Sequence, residues 1–139
     1  MASARIFIVE DNPSDVFILR RALQDSGETF ELQVAHDGEK ALEFVCAERN
    51  DGRDASPCVM LLDLNVPRYN GFDILHAIQS PPALNHIHVI VNSNGVSPEQ
   101  LRELHSLRAE YRDKPRSLAE YDELARHLIT IGKSLRAHA

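Results

Sequence analysis

Val59-Met60-Leu61-Leu62-Asp63-Leu64-Asn65-Val66-Pro67 is the stretch that decides the fold. It begins as an apolar run too short for a globular helix, and such a run reads as a strand buried on both faces. One carboxylate, Asp63, stands at its carboxyl end; Asn65 and Pro67 then turn the chain, and Asn70-Gly71 precedes a new helical pattern. In open parallel sheets, ligands gather where strands end. Asp63 is therefore either a helix cap or turn former, or a nucleophile or metal ligand. The residues at the neighbouring strand ends decide between these.

Two further apolar runs, Arg5–Val9 and Ile87–Val91, read as central strands. Phe30–Val34 alternates with period two, so it has one wetter face and belongs near a sheet edge; Ala109–Asp113 is a short, unusually polar strand. Helical patterns lie between them. Asn12 and Pro13 open the first helix, whose buried face is Val16, Leu19 and Leu23. Asp37 can cap the second, with an inner stripe of Ala41, Leu42 and Val45, and a polar loop over Asn50–Asp54 follows. Phe72, Leu75 and Ile78 mark the third, closed by Pro81-Pro82. Ser97-Pro98-Glu99-Gln100 and Ser117-Leu118-Ala119-Glu120 are capping boxes that start the fourth and fifth. The last carries the stripe Leu118, Tyr121, Leu124, Leu128, Ile131. Five strands alternating with five helices predict an α/β fold with one doubly wound parallel sheet.

The chain of 139 residues suits one domain; it is 43% hydrophobic and 26% charged, as globular chains are. A net charge of −6 argues against a nucleic-acid surface. There is no basic run, no targeting segment and no apolar stretch of membrane length, so a cytoplasmic protein without membrane contact is expected. Cys46 and Cys58 have no metal spacing, do not suggest a disulfide framework, and read as core or near-core thiols. His76, His86, His88 and His105 are scattered and read as solvent-facing, His36 as structural. Tyr69 reads equally as a kinase contact or a plain loop aromatic.

The strand ends carry Glu10 and Asp11, Asp63, Ser93, and Lys114. A right-handed alternating sheet brings these to one rim. Three carboxylates there repel, and require a cation or a retained proton. Oxygen ligands without His or Cys point to Mg²⁺. A hydroxyl and an ammonium beside them suit phosphoryl oxygens. The implied chemistry is phosphoryl transfer to Asp63, with Mg²⁺ and Lys114 offsetting developing charge.

In these residues the chain resembles a response-regulator receiver domain. The matching stretches are Val9-Glu10-Asp11-Asn12, Asp37-Gly38-Glu39-Lys40-Ala41-Leu42, Leu62–Pro67, Asn70-Gly71, Ser93, Tyr111 and Lys114-Pro115, in family order across nearly the whole chain. The Leu-Asp-Leu-Asn-x-Pro form and the polar loop before Cys58 resemble single-domain regulators paired with phytochrome-type sensor histidine kinases. The resemblance implies a flavodoxin-like fold with strand order 2-1-3-4-5. It implies that Asp63 accepts a phosphoryl group from a kinase phosphohistidine. Glu10, Asp11, Asp63 and the backbone carbonyl of Asn65 would hold Mg²⁺, and Lys114 would pair with the phosphoryl oxygens. Ser93 would be the switch hydroxyl and Tyr111 the switch aromatic, and Lys114-Pro115 a cis bond. Beyond self-phosphorylation on Asp63 and slow self-dephosphorylation, no enzymatic turnover is implied. After Lys114 there is room for one helix and a tail, so residues 1–139 are expected to be a single receiver domain without an output domain. A homodimer through the fourth helix, fifth strand and fifth helix is the expected assembly.

The chain departs from the family at Asn92, where an apolar residue is usual, in the polar fifth strand, and in a Ser93–Tyr111 span about one residue short. Other functions remain on the same residues. One is a phosphorylation-independent adaptor. Another is a Mg²⁺-dependent phosphatase, against which stands Asn65 where a second Asp would serve as acid/base. A flavin site is weaker, because no phosphate loop follows the first strand.

Overall fold

Period-two alternation divides each central strand between two cores. In the computed structural model, which describes residues 3–51 and 56–137, the strands are β1 (Ala4–Val9), β2 (Phe30–Ala35), β3 (Cys58–Leu62), β4 (Ile87–Ser93) and β5 (Glu110–Asp113). They alternate with α1 (Pro13–Asp25), α2 (Gly38–Asp51), α3 (Gly71–Gln79), α4 (Pro98–Ser106) and α5 (Leu118–Ala137). Phe7, Val9, Met60, Leu62, Val89 and Val91 face a core completed by α2, α3 and α4. Ile6, Ile8, Val59, Leu61 and Ile90 face the other, against α1 and α5. Covering both faces is what lets β3 be apolar and buried at every position.

All strand pairs are parallel and the order is β2-β1-β3-β4-β5, as expected of the flavodoxin-like arrangement. The register aligns the carboxyl ends: Val9 pairs with Leu62, and Leu62 with Val91. Glu10, Asp63 and Asn92 are the next residues on three adjacent strands. The two edge strands, β2 and β5, are the polar ones.

Helix starts follow their caps. Asn12 accepts from the amides of Ser14 and Asp15, at 2.9 and 3.4 Å, with Pro13 in the first turn. Ser97 and Gln100 close a capping box, as do Asn70 and Asp73. Ser117 accepts from the amide of Glu120 at 3.1 Å, while the Glu120 carboxylate reaches back to the Arg116 amide. Two glycines shape the loop after Asp63. A Cβ on Gly71 would lie 2.8 Å from Leu64 Cα, and one on Gly38 would collide with the carbonyls of Arg68 and Tyr69. Only glycine lets the helix starts approach that loop so closely.

Several expectations change. Asn50 and Asp51 complete α2 instead of opening a loop, and Gly52, Arg53 and Asp54 lie outside the described residues. Phe44 joins the inner stripe of α2, its ring stacked on Phe7 with centroids 3.8 Å apart, while Leu42 packs half-buried against the same core. Cys46 is exposed, on the outer side of α2, whereas Cys58 is buried. Leu118 is 72% exposed, since the buried stripe of α5 begins at Leu124. His86 is half-buried, held by Glu48 at 3.1 Å, not solvent-facing. The cis bond among the described residues is Pro81-Pro82, not Lys114-Pro115. Lys114 continues the sheet ladder instead, its amide donating to the Ser93 carbonyl at 2.9 Å. No helix among the described residues is long and apolar enough to cross a membrane.

Candidate functional site

The strand ends supply the backbone frame. The Asp63 amide donates to the Val9 carbonyl at 3.1 Å, and Glu10 to that of Ala35 at 3.0 Å. Asp63 and Glu10 are thereby set side by side, 5% and 7% exposed. Asp11, the next residue, is exposed, and one oxygen from each of Glu10, Asp11 and Asp63 lies within 4.8 Å of the others.

Lys114 enters this cluster from the carboxyl end of the edge strand β5. Its ammonium donates to Asp63 Oδ2 at 3.0 Å and to Glu10 Oε2 and Oε1 at 3.2 and 3.4 Å. The other Asp63 oxygen accepts the Asn65 amide at 2.9 Å. Asn65 thus reaches the site through its backbone, two residues beyond Asp63. Burial, followed by hydrogen bonding to and repulsion from Asp63, pushes Glu10 up to about 7 against the pull of Lys114. Burial disfavours the Lys114 charge, but Asp63 and then Glu10 outweigh it and raise its pKa. One ammonium does not neutralise three carboxylates, and the all-oxygen donor set fits a hard divalent cation.

Ser93, 2% exposed, ends β4 in register with Asp113, one position beyond the neighbour of Asp63. Tyr111 donates its hydroxyl to Asp113 Oδ1 at 2.6 Å and lies 3.3 Å from the Ser93 carbonyl. The two switch candidates are therefore adjacent despite the short span between them. Asn92 is buried and its amide spans the β5 carbonyls of Arg112 and Asp113, each at 3.3 Å. Its polarity serves the edge strand, where β5 ends. Tyr69 is 58% exposed on the loop after Pro67.

Sequence reasoning missed Asp15. From the first turn of α1, its Oδ2 lies 3.7 Å from the Lys114 ammonium, and its Oδ1 accepts the Tyr121 hydroxyl at 3.1 Å. The signal available was an acidic residue one helical turn after Asp11; its partners are about a hundred residues away. A second buried cluster lies elsewhere. Glu48 is held by both guanidinium nitrogens of Arg5, at 2.6 and 2.9 Å, and by His86.

Comparison with known proteins gives one family. The profile of the response regulator receiver domain matches residues 6–120. The chain is 32% identical over 101 residues to the probable methanogenesis regulatory protein FilR2 of Methanothrix harundinacea, covering 73% of this chain and 64% of that protein. It is 33% identical over 86 residues to response regulator Rcp1 of Synechocystis, covering 62% of this chain and 58% of that protein. It therefore spans less than two thirds of the length of either relative. In structure it is similar to the phosphorylated cyanobacterial phytochrome response regulator RcpA, with TM-score 0.79, 28% identity and 94% of each chain covered. It is also similar to the Mn²⁺-bound form of Rcp1, with TM-score 0.71, 26% identity, and 89% of this chain and 90% of that one covered.

Proposed function

The chain belongs to the response regulator receiver domain family, and we propose that it is a two-component switch phosphorylated on Asp63 by a sensor histidine kinase. The observation that carries the reading is the Lys114 ammonium 3.0 Å from a buried Asp63, in a cluster of three carboxylates. An Asp63 oxygen attacks phosphorus, the P–N bond of the donor phosphohistidine breaks, and its electron pair returns to the imidazole. Lys114 is poised to follow the phosphoryl oxygens, and the Asn65 amide holds the second Asp63 oxygen in place.

Glu10, Asp11, Asp63 and the backbone carbonyl of Asn65 would hold Mg²⁺, which supplies charge to offset the phosphoryl oxygens. The Mn²⁺-bound form of Rcp1 supports a divalent cation in the family. The donor kinase is of the phytochrome type, a reading supported by RcpA, described as a phytochrome response regulator. The protein acts in the cytoplasm through its receiver domain. Its output surface is α4, β5 and α5, through which it forms a homodimer. Turnover as a phosphatase is disfavoured: Asn65 stands where an acid/base carboxylate would be needed, and its side-chain amide has no pKa near neutrality with which to act as general acid or base. The test is transfer of labelled phosphoryl from autophosphorylated sensor kinases, phytochrome-type and other, with and without Mg²⁺. Rapid, Mg²⁺-dependent transfer from a phytochrome-type kinase supports the full reading. Transfer from none of them removes the kinase assignment.

A further inference from the structure

Lys114 is surrounded by carboxylates on more sides than phosphoryl transfer to Asp63 requires. Asp63 and Glu10 accept two of its directions, and Asp15 of α1 closes a third at 3.7 Å. Asp15 is itself oriented. Its second oxygen accepts the hydroxyl of Tyr121, on the first turn of α5, at 3.1 Å. Asp15, Lys114 and Tyr121 line one small pocket with Asp63, together with Val16, Leu19 and Leu124. Burial and then the Asp15 charge push the Tyr121 phenol up to about 12, so it stays a donor to Asp15 at neutral pH.

We propose that Asp15 and Tyr121 are positioning residues for Lys114, a relay that steadies the ammonium beside Asp63 and links the phosphoryl state to α5. The inference rests on the phosphoacceptor reading of Asp63. Its physical basis is competition for one cation. A divalent ion drawn to Glu10 and Asp11 weakens the hold of Glu10 on Lys114. Asp15 then becomes the remaining protein carboxylate, apart from Asp63 itself, that fixes the ammonium. Tyr121 keeps Asp15 turned toward Lys114. When Lys114 follows new phosphoryl oxygens, Asp15 loses part of its ion pair and leans on Tyr121, so α5 feels the change without involvement of Ser93 or Tyr111.

The test uses the full chain, Tyr121→Phe, Asp15→Asn and the double variant, with amide spectra to confirm folding. One measurement needs no phosphoryl transfer: the Nζ and Cε resonances of Lys114. Tyr121→Phe is expected to move them in the same direction as Asp15→Asn. The second is the rate of phosphorylation by acetyl phosphate with Mg²⁺. Tyr121→Phe is expected to slow it roughly two- to tenfold, the size of one hydrogen bond. Its Mg²⁺ affinity by calorimetry should stay within about twofold of the parent. The double variant should be no slower than Asp15→Asn alone, because the two residues act in series. Lys114 resonances indifferent to Tyr121→Phe would overturn the relay, and so would losses that multiply in the double variant. If the parent takes no phosphoryl group, the reading of Asp63 fails, and the Lys114 resonances still decide the relay.

Discussion

The hydroxyl of Tyr111 donates to the carboxylate of Asp113 at 2.6 Å, fastening the ring to its own edge strand. Burial and then this carboxylate push the phenol up to about 12, so the donor proton is retained at neutral pH. Any movement of Tyr111 toward space vacated by Ser93 must break this charge-assisted bond. Asp113→Asn makes it a neutral one, weaker by roughly 1 kcal/mol, or about fivefold in the ring's equilibrium. The unphosphorylated variant should show Tyr111 ring shifts displaced toward those of the phosphorylated parent. Ring shifts identical to the unphosphorylated parent would remove Asp113 from the switch.

Ser93→Ala should leave Asp63 phosphorylatable but uncouple Tyr111. The hydroxyl contributes roughly 1.5–3 kcal/mol if it donates to a charged phosphoryl oxygen. Phosphorylated Ser93→Ala should therefore retain the Tyr111 ring shifts of the unphosphorylated parent. Ring shifts matching the phosphorylated parent would show that Ser93 is not the switch hydroxyl.

A divalent cation should stabilise the protein. At ten times its Kd, Mg²⁺ adds about 1.4 kcal/mol by mass action, which is about 4 °C in Tm for a chain of this size. Asp11→Asn should shrink that increment. It should also raise the metal-free Tm, because it relieves repulsion within the cluster of Glu10, Asp11 and Asp63. A parent Tm indifferent to millimolar Mg²⁺ would contradict the metal site.

These parts of the molecule were unequally legible in the sequence. β1, β3 and β4 are apolar because both faces are covered, and a run of apolar residues carries that information directly. The acidic rim followed once three strand ends were aligned. The strand order came from family resemblance, because periodicity does not say which strands are neighbours. Partners distant in sequence were invisible: Asp15 with Tyr121, and Arg5 and His86 with Glu48, are brought together only by the tertiary fold. Asn92 was legible as a departure, but its purpose required the β5 carbonyls to be in place. Cys46 and Leu118 lay in helical patterns whose buried stripe is set by neighbours such as Phe44 and Leu124, so their exposure could not be read locally.

Glu48 gives the acid limb of stability. Burial opposes its charge, but the hydrogen bonds from Arg5 and His86, with their charges, prevail and hold its carboxyl below the usual value. A carboxyl depressed in the folded state contributes stability that is present above its unfolded pKa and lost as pH falls through the folded one. Glu48→Gln should cost roughly 3 kcal/mol at pH 7, as breaking a buried pair does. The gap between variant and parent in chemical denaturation should narrow on titration below about pH 4.5. A gap independent of pH would show that Glu48 acts through packing alone.

Output through α4, β5 and α5 predicts a salt-sensitive homodimer. Arg112 is the probe, although its neighbour Glu110 is already engaged within the chain by His127 at 2.8 Å and His88 at 3.3 Å. Mixed charges on one face can be self-complementary across a two-fold axis, and exposed pairs weaken in salt. Sedimentation of the phosphorylated protein should show a dimer at low ionic strength that Arg112→Glu and high salt both weaken. A monomer under all conditions would contradict the dimer; a dimer indifferent to both would place the interface elsewhere.

If Asp63 is the phosphoacceptor, the mass of the intact protein reports it. The parent and Asp63→Asn are incubated with a phosphorylated sensor kinase or acetyl phosphate in the presence of Mg²⁺. With Asp63 as acceptor, the parent gains one phosphoryl adduct that is labile to acid, base and hydroxylamine, as befits an acyl phosphate, and Asp63→Asn gains none with its fold intact. An adduct of equal yield on Asp63→Asn would contradict it and place the acceptor at another residue.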